Sequence, residues 1–371
     1  MTSTGEFEIF AVAVPGLESA LYAQMRPLRF RALKQVPGGV SIRGNWPDVW
    51  RANLEIRGAS RIIARLGAFR ALHLAQLDKL AHDLPWADVL RRDVPFRVEA
   101  TCSKSKIYHS GAAAQRIARA ITHKLGAPMS DDADVTIKVR IDHDLCTVSI
   151  DTSGELLHKR GHKEQVNKAP MRETLASLFL HECGYTGGEP VIDPMCGSGT
   201  FVIEAAEIAA GLKPGRARAF AFEQLATFDK EAWQRLTSKA EARETPYRFY
   251  GSDRDAGSIT MSHANAERAG VAALTTFQQH TVSELAAPEG PPGLVIVNPP
   301  YGTRIGERQR LTPLYRSLGQ TLLTRFSGWR VGLITTDASL AKATGLPFEA
   351  PTAPVHHGGL RVTLFRTAAL P

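Results

Sequence analysis

Val191-Ile192-Asp193-Pro194-Met195-Cys196-Gly197-Ser198-Gly199-Thr200, running on into Phe201-Val202-Ile203-Glu204-Ala205-Ala206, sets the architecture of the chain. Val191 to Asp193 reads as a short strand and Phe201 to Ala206 has helix-forming composition. A glycine turn joins them, and strand, turn and helix form the first unit of a doubly wound nucleotide-binding sheet. Other glycine loops fail on spacing. A Walker loop needs a lysine before Thr200, where Gly199 stands, and a dinucleotide fingerprint needs glycine where Val202 stands. What remains is a loop in which Gly197 and Gly199 let the backbone approach a ligand closely while Asp193 faces cationic or hydroxyl groups. S-adenosylmethionine fits, having an ammonium and a ribose but no phosphate. The plain alternative is an ordinary turn into a helix.

The elements that follow support this. Tyr247 to Asp253 reads as the next strand, and Asp253 at its tip is placed to accept both ribose hydroxyls. Asp255 reads as the N-cap of a helix over Ser258 to Ala269. Thr275 to His280 reads as a third strand, whose tip offers His280 and Thr281 toward an adenine. Further on, the apolar run Gly293 to Val297 predicts a buried parallel strand, so Asn298-Pro299-Pro300-Tyr301 falls where such sheets place their ligands. An exocyclic nucleobase amine is a poor nucleophile because its lone pair is delocalised into the ring. The Asn298 side-chain oxygen and the Pro299 carbonyl can each take one amino hydrogen and free that lone pair. Neither proline donates a competing N–H, and Tyr301 offers a face on which a base stacks. Read as a plain turn, the same residues would carry no chemistry.

The segment from Arg160 to Thr200, the Asn298 loop and the order of elements between them resemble class I S-adenosylmethionine-dependent RNA methyltransferases that carry a THUMP domain, most of all the N-terminal half of the bacterial 23S rRNA guanine-N2 methyltransferase. The resemblance implies that Asp193, Pro194, Cys196, Gly197, Gly199 and Thr200 bind the cofactor, that Asp253 binds its ribose, and that Asn298, Pro299, Pro300 and Tyr301 hold the target amine. Ala169 to Ala176 matches the family's helix beside the methionine end, with Thr174 as a contact. Gly215 to Glu223, with Phe228, Asp229 and Trp233, looks like an insertion of the bacterial rRNA group. Where the family commonly has an aspartate for the adenine amino group, this chain has Thr281.

Residues from about Arg57 to Gly161 resemble the THUMP module. A turn holding Lys104, Lys106 and Tyr108 precedes a helix over Ala112 to Leu125, on which Arg116, Arg119 and Lys124 share a face. These residues, with Arg304 past the tetrapeptide, suit phosphates, and Tyr108 or His109 suits base stacking. A solvated basic helix is the bland alternative. The expected organisation is therefore a ferredoxin-like α+β domain (1–56), a THUMP RNA-binding domain (57–161) and an α/β, Rossmann-like class I methyltransferase domain (162–371).

Charge follows that division. Residues 1–165 hold 24 Lys/Arg against 18 Asp/Glu and residues 166–371 hold 21 against 19, so most of the net +8 lies in the half expected to meet RNA. No apolar stretch approaches a membrane span, and Cys102, Cys146, Cys183 and Cys196 are scattered without zinc-like pairs, which points to a reducing cytoplasm and no metal. His356-His357 reads as a solvent-facing pair. The preferred function is methylation of a guanine N2 amine in large-subunit rRNA. An adenine-N6 methyltransferase on DNA or RNA shares the same loop chemistry, and a non-catalytic RNA-binding or ribosome-assembly protein is the third reading. Oligomeric state is not readable.

Overall fold

Two seven-stranded sheets organise the chain. The computed structural model describes residues 5–163, 171–238, 242–301 and 305–371, with side chains from 309 in the last stretch. One compact unit holds Met1–Ala13, Leu21–Leu157 and Arg218–Lys239; the other holds Val14–Ala20, His158–Ala217 and Ala240–Pro371.

In chain order the first part contains β1 (Phe7–Val12), α1 (Glu18–Met25), β2 (Arg31–Val36), β3 (Gly39–Gly44), α2 (Trp46–Glu55), β4 (Arg61–Arg70), α3 (Leu74–His82), α4 (Trp86–Val89), β5 (Phe96–Ser103), α5 (Ser110–Leu125), β6 (Val135–Asp142) and β7 (Leu145–Asp151). The strands join as β2-β3-β1-β4-β7-β6-β5, antiparallel except for β5 and β6. The sheet runs unbroken through the expected boundary at residue 56, because β4 pairs with β1 on one edge and β7 on the other. A buried polar knot pins this junction. The Asn53 amide donates to Thr152 Oγ1 at 2.9 Å and accepts from Ser153 Oγ at 2.7 Å, leaving neither side-chain amide group unmatched.

The second part contains α6 (Glu173–Glu182), β8 (Val191–Asp193), α7 (Thr200–Ala209), α8 (Lys230–Thr237), β9 (Phe249–Asp253), α9 (Ala256–Ala269), β10 (Thr275–Gln279), β11 (Leu294–Val297), α10 (Ile305–Arg325), β12 (Arg330–Thr335), α11 (Ala338–Ala343), β13 (Val355–His357) and β14 (Leu360–Arg366). The sheet order is β10-β9-β8-β11-β12-β14-β13. Strands β8 to β12 are parallel; β14 runs against β12, and β13 pairs antiparallel with β14 at the edge. Strand order therefore reverses between β8 and β11, the place where doubly wound sheets open a crevice. Leu294 to Val297 is buried on both faces, which is why this strand reads as a continuous apolar run rather than an alternating one. Asp255 caps α9 as expected, accepting from Ser258 N at 2.8 Å. Among the described residues no helix is long and apolar enough to cross a membrane.

Residues 218–238, within the stretch expected from sequence to be catalytic, group with the first compact unit. Phe222 is fully buried and stacks on Trp50 at 6.3 Å, with Trp233 edge-on at 5.1 Å and Phe228 at 5.9 Å. Arg218 donates to the carbonyls of Ser153, Glu155 and Leu156, so it clamps the chain leaving β7 rather than forming a surface loop. Phe222→Ala should therefore destabilise this unit by about 3–5 kcal/mol through loss of a buried aromatic. Denaturant unfolding followed by the fluorescence of Trp50 and Trp233 checks this, and a loss below about 1 kcal/mol would show that the aromatic cluster is not a core.

Candidate active site

Register brings the two sequence motifs together. Val191 pairs with Leu294 and Ile192 with Val295, so Asp193 and Asn298 leave neighbouring strands at the same edge of the sheet. On the other side Asp193 pairs with Gly251, which carries Ser252 and Asp253 past the same edge. A Cβ at Gly251 would lie 2.5 Å from the Phe277 ring and 3.1 Å from Cys196 Sγ, so only glycine lets β9 approach this closely.

The glycine loop is held by its neighbours. Gly197 and Gly199 have φ of +55° and +84°, which favour glycine. Gly197 N donates to Asp253 Oδ2 at 3.0 Å, while the carbonyls of Gly197 and Ser198 accept from Ser262 Oγ and Asn265 Nδ2, each at 3.0 Å. Ser262 and Asn265 are fully buried polar residues on α9. Sequence reading passed over them, and polar residues three apart on the packed face of a helix were the available signal.

Two cavities that share Met195, Asn298 and Pro300 flank this loop. One, of about 420 Å³, is lined by Asp193, Cys196, Gly197, Thr200 and all of Asn298, Pro299, Pro300 and Tyr301. The other, of about 630 Å³, is lined by Pro194, Asp253, Thr281 and His280. Gly199 lines neither cavity and serves the turn. Thr174 is buried in α6 and also lines neither; Met171 and Thr200 occupy that wall instead. Thr281 is exposed and its hydroxyl is engaged, 2.8 Å from Glu284 Oε2, in a capping box that also takes Thr281 N. Arg304 lies outside the described residues.

Burial dominates the electrostatics of Asp193. Asp193 is 3% exposed and accepts one backbone N–H, from Met195 at 3.0 Å. Burial, with the charge of Asp253 nearby, pushes its pKa up to about 8, and it has no cationic partner among the described residues. Burial also pushes the Cys196 thiol well above its ordinary range, which fits a small loop residue and not a nucleophile.

At the other motif, the Asn298 side-chain oxygen is shielded from solvent and has no hydrogen-bond partner among the described residues. Its loop is latched by Tyr315 of α10, whose hydroxyl lies 3.2 Å from the Pro300 carbonyl oxygen and 3.2 Å from Thr335 Oγ1. One hydroxyl hydrogen serves the carbonyl while the lone pairs face Thr335, and burial raises the Tyr315 pKa to about 12, so the phenol stays protonated. Tyr301 lies half-buried in the same cavity wall. His357, expected to face solvent, is instead buried in that wall, while its neighbour His356 is exposed. The basic residues expected to meet RNA belong to the first unit. Lys104, Lys106 and Arg119 are exposed and Arg116 is half-buried. Tyr108 is 84% exposed, whereas His109 caps α5 by accepting from Ala112 N at 3.0 Å.

A buried carboxyl lacking a cation, a strand-tip acid and a glycine cradle fit the ammonium, ribose and close backbone approach of S-adenosylmethionine, and the sheet order is that of a class I methyltransferase. A family model described as UPF0020, RMKL-like, methyltransferase domain, matches residues 160–363, more than half of the chain, and the chain belongs to that family. An RlmL ferredoxin-like domain matches residues 8–63 and a THUMP domain residues 73–151. Three solved structures are similar throughout. A "possible methylase" from Clostridium difficile 630 is 28% identical with a TM-score of 0.89, covering 99% of each chain. SMU.472, classed as a methyltransferase and complexed with SAH, is 26% identical with a TM-score of 0.88, again covering 99% of each. A "predicted N6-adenine-specific DNA methylase" from Listeria monocytogenes str. 4b F2365 is 29% identical with a TM-score of 0.88, covering 99% of this chain and 97% of that one. The protein is thus an S-adenosylmethionine-dependent methyltransferase with a THUMP domain.

The Asp193 pKa has a measurable consequence. Below pH 8 the free carboxyl is largely protonated, and the cofactor's ammonium favours its ionised form. Binding at pH 7 should release up to about one proton, and affinity should rise as pH climbs toward 8. Calorimetry in two buffers of different ionisation enthalpy reads this directly. Heats independent of buffer, or an unchanged proton count in Asp193→Asn, would contradict it.

Proposed function

We propose that the protein transfers the methyl group of S-adenosylmethionine to the exocyclic N2 amine of a guanine in large-subunit rRNA, in the cytoplasm. The observation that carries the reading is the buried, unmatched Asn298 oxygen in one cavity with Asp193 and Tyr301. A buried acceptor without a donor is costly, on the order of 1–3 kcal/mol, and that cost is recovered when a ligand N–H arrives.

Asn298 Oδ1 and the Pro299 carbonyl each accept one amino hydrogen, which draws the nitrogen toward a tetrahedral shape. Tyr301 stacks on the base, a contact of ~1–3 kcal/mol. When bound, the cofactor supplies an electrophilic methyl group on a sulfonium. Asn298 and Pro299 would hold the amine facing that methyl group, the thioether would leave with the S–C electron pair, and the methylated amine would shed its proton to water, so no strong base is required of the protein. Positioning carries the rate, an effect that can reach roughly 7–11 kcal/mol. The Tyr315 latch on Pro300 serves that positioning by fixing the loop's carbonyls.

In this reading Asp193, Pro194, Cys196, Gly197, Thr200 and Asp253 hold the cofactor, with Gly199 shaping the turn. Thr281 lines the wider cavity, its hydroxyl donating to Glu284 and keeping acceptor lone pairs toward an adenine amino group. Lys104, Lys106, Tyr108, Arg116 and Arg119 hold RNA on the THUMP side, where the Lys104–Lys106 turn is tied by Asp144 accepting from Lys106 N at 2.7 Å. RNA is favoured over DNA by the THUMP match, and guanine by the likeness of residues 160–200 and the RlmL ferredoxin-like match. The name of the Listeria structure favours adenine N6 as the other product.

Incubating the purified protein with rRNA and methyl-deuterated cofactor, then digesting to nucleosides, tests the assignment by mass spectrometry. The expected label is on N2-methylguanosine. Label on N6-methyladenosine, or on neither with undermethylated rRNA and with DNA, would overturn it.

A further inference from the structure

The C-terminal hairpin places a histidine in the target cavity. β13 and β14 pair Val355 with Val362, His356 with Arg361 and His357 with Leu360. The intervening Gly358-Gly359 have φ of +56° and +83°, the two positive values of a tight two-residue hairpin turn. With that register fixed, side chains alternate across the ribbon, and Val355 and His357 turn inward while His356 turns out.

His357 is 6% exposed and lines the same cavity as Asp193, Asn298 and Tyr301. Neither of its ring nitrogens has a hydrogen-bond partner among the described residues. Burial, together with the positive charges of Arg172 and Lys163, holds its pKa below the ordinary histidine value, so at neutral pH the ring is uncharged, with one N–H donor and one bare nitrogen acceptor. Two unmatched polar groups, the Asn298 oxygen and this imidazole, therefore share one cavity whose other walls include Pro299, Tyr301 and Leu360. A flat heteroaromatic ring that bears an amine and has a further polar atom on its edge satisfies both at once.

Resting on the reading of this cavity as the target-base site, we propose that His357 is a further target-binding residue, which hydrogen-bonds the polar ring edge of the nucleobase whose amine Asn298 holds. The cofactor's carboxylate is the competing ligand. A neutral imidazole, carrying no charge, is poorly matched to an anion.

Three variants test the assignment. His357→Phe keeps a ring of similar size and removes both nitrogens, while His357→Asn and His357→Gln return one donor and one acceptor at either nitrogen position. The Phe variant should lose at least tenfold in kcat/KM for RNA while its dissociation constant for the cofactor stays within about twofold. One of the two amide variants should recover most of that loss, which a merely structural role would not allow. RNA kinetics within twofold of wild type in the Phe variant would overturn the proposal. A parallel loss of cofactor affinity would also overturn it, by assigning His357 to the cofactor. If the Phe variant does not fold, His357→Ala is read by the same two ratios. Nucleoside analysis of the wild-type reaction separates the two claims. A wild-type protein that methylates no nucleic acid defeats the target-site reading, whereas an active wild type with an equally active Phe variant defeats only the role of His357.

Discussion

The parallel pairing of β8 with β11 is the constraint on which the site depends. Two residue pairs, Val191 with Leu294 and Ile192 with Val295, bring Asp193 and Asn298 to one edge of one sheet, although the two lie far apart in sequence. A slip of one residue would send the strand's side chains to the opposite faces. Val191–Asp193 and Leu294–Val297 are buried throughout, so the pairing that brings the two residues together lies inside the core of the sheet.

Around that pairing, the polar groups of the site fall into two kinds. Some are satisfied and rigid: the glycine-loop carbonyls tied to Ser262 and Asn265, and the Pro300 carbonyl facing Tyr315. Others are buried and, among the described residues, unmatched or unneutralised: the Asn298 oxygen, the His357 nitrogens and the Asp193 carboxyl. Folded proteins match nearly all their buried polar atoms, so a cluster of exceptions in adjoining cavities marks where ligands supply the missing partners. The satisfied groups hold the unsatisfied ones in place before any ligand binds, as methyl transfer by positioning requires.

Much of this was legible in the sequence because it is local chemistry. Glycines at Gly197 and Gly199, acids at the tips of β8 and β9 and an Asp255 cap are decided by a few adjacent residues, and the strand at Leu294 is marked by an unbroken apolar run. What was not legible depends on distant contacts. A histidine pair carries no period of its own, so only the pairing of β13 with β14 separates the outward His356 from the inward His357. Tyr315 looks like any helix aromatic until the Pro300 carbonyl is placed against it. The aromatic residues of the 218–238 segment gave no sign that they pack around Trp50, some 170 positions earlier in the chain. Thr281 was read for its position at a strand tip, but its hydroxyl closes a local capping box.

The central claim is that the bare Asn298 oxygen serves the target amine and not the cofactor. Paired measurements on Asn298→Ala, cofactor affinity by calorimetry and single-turnover methyl transfer to RNA, test it most directly. The account predicts a cofactor dissociation constant within about twofold of wild type and transfer reduced to background. Transfer near the wild-type rate, or loss of cofactor binding in step with loss of transfer, would contradict it.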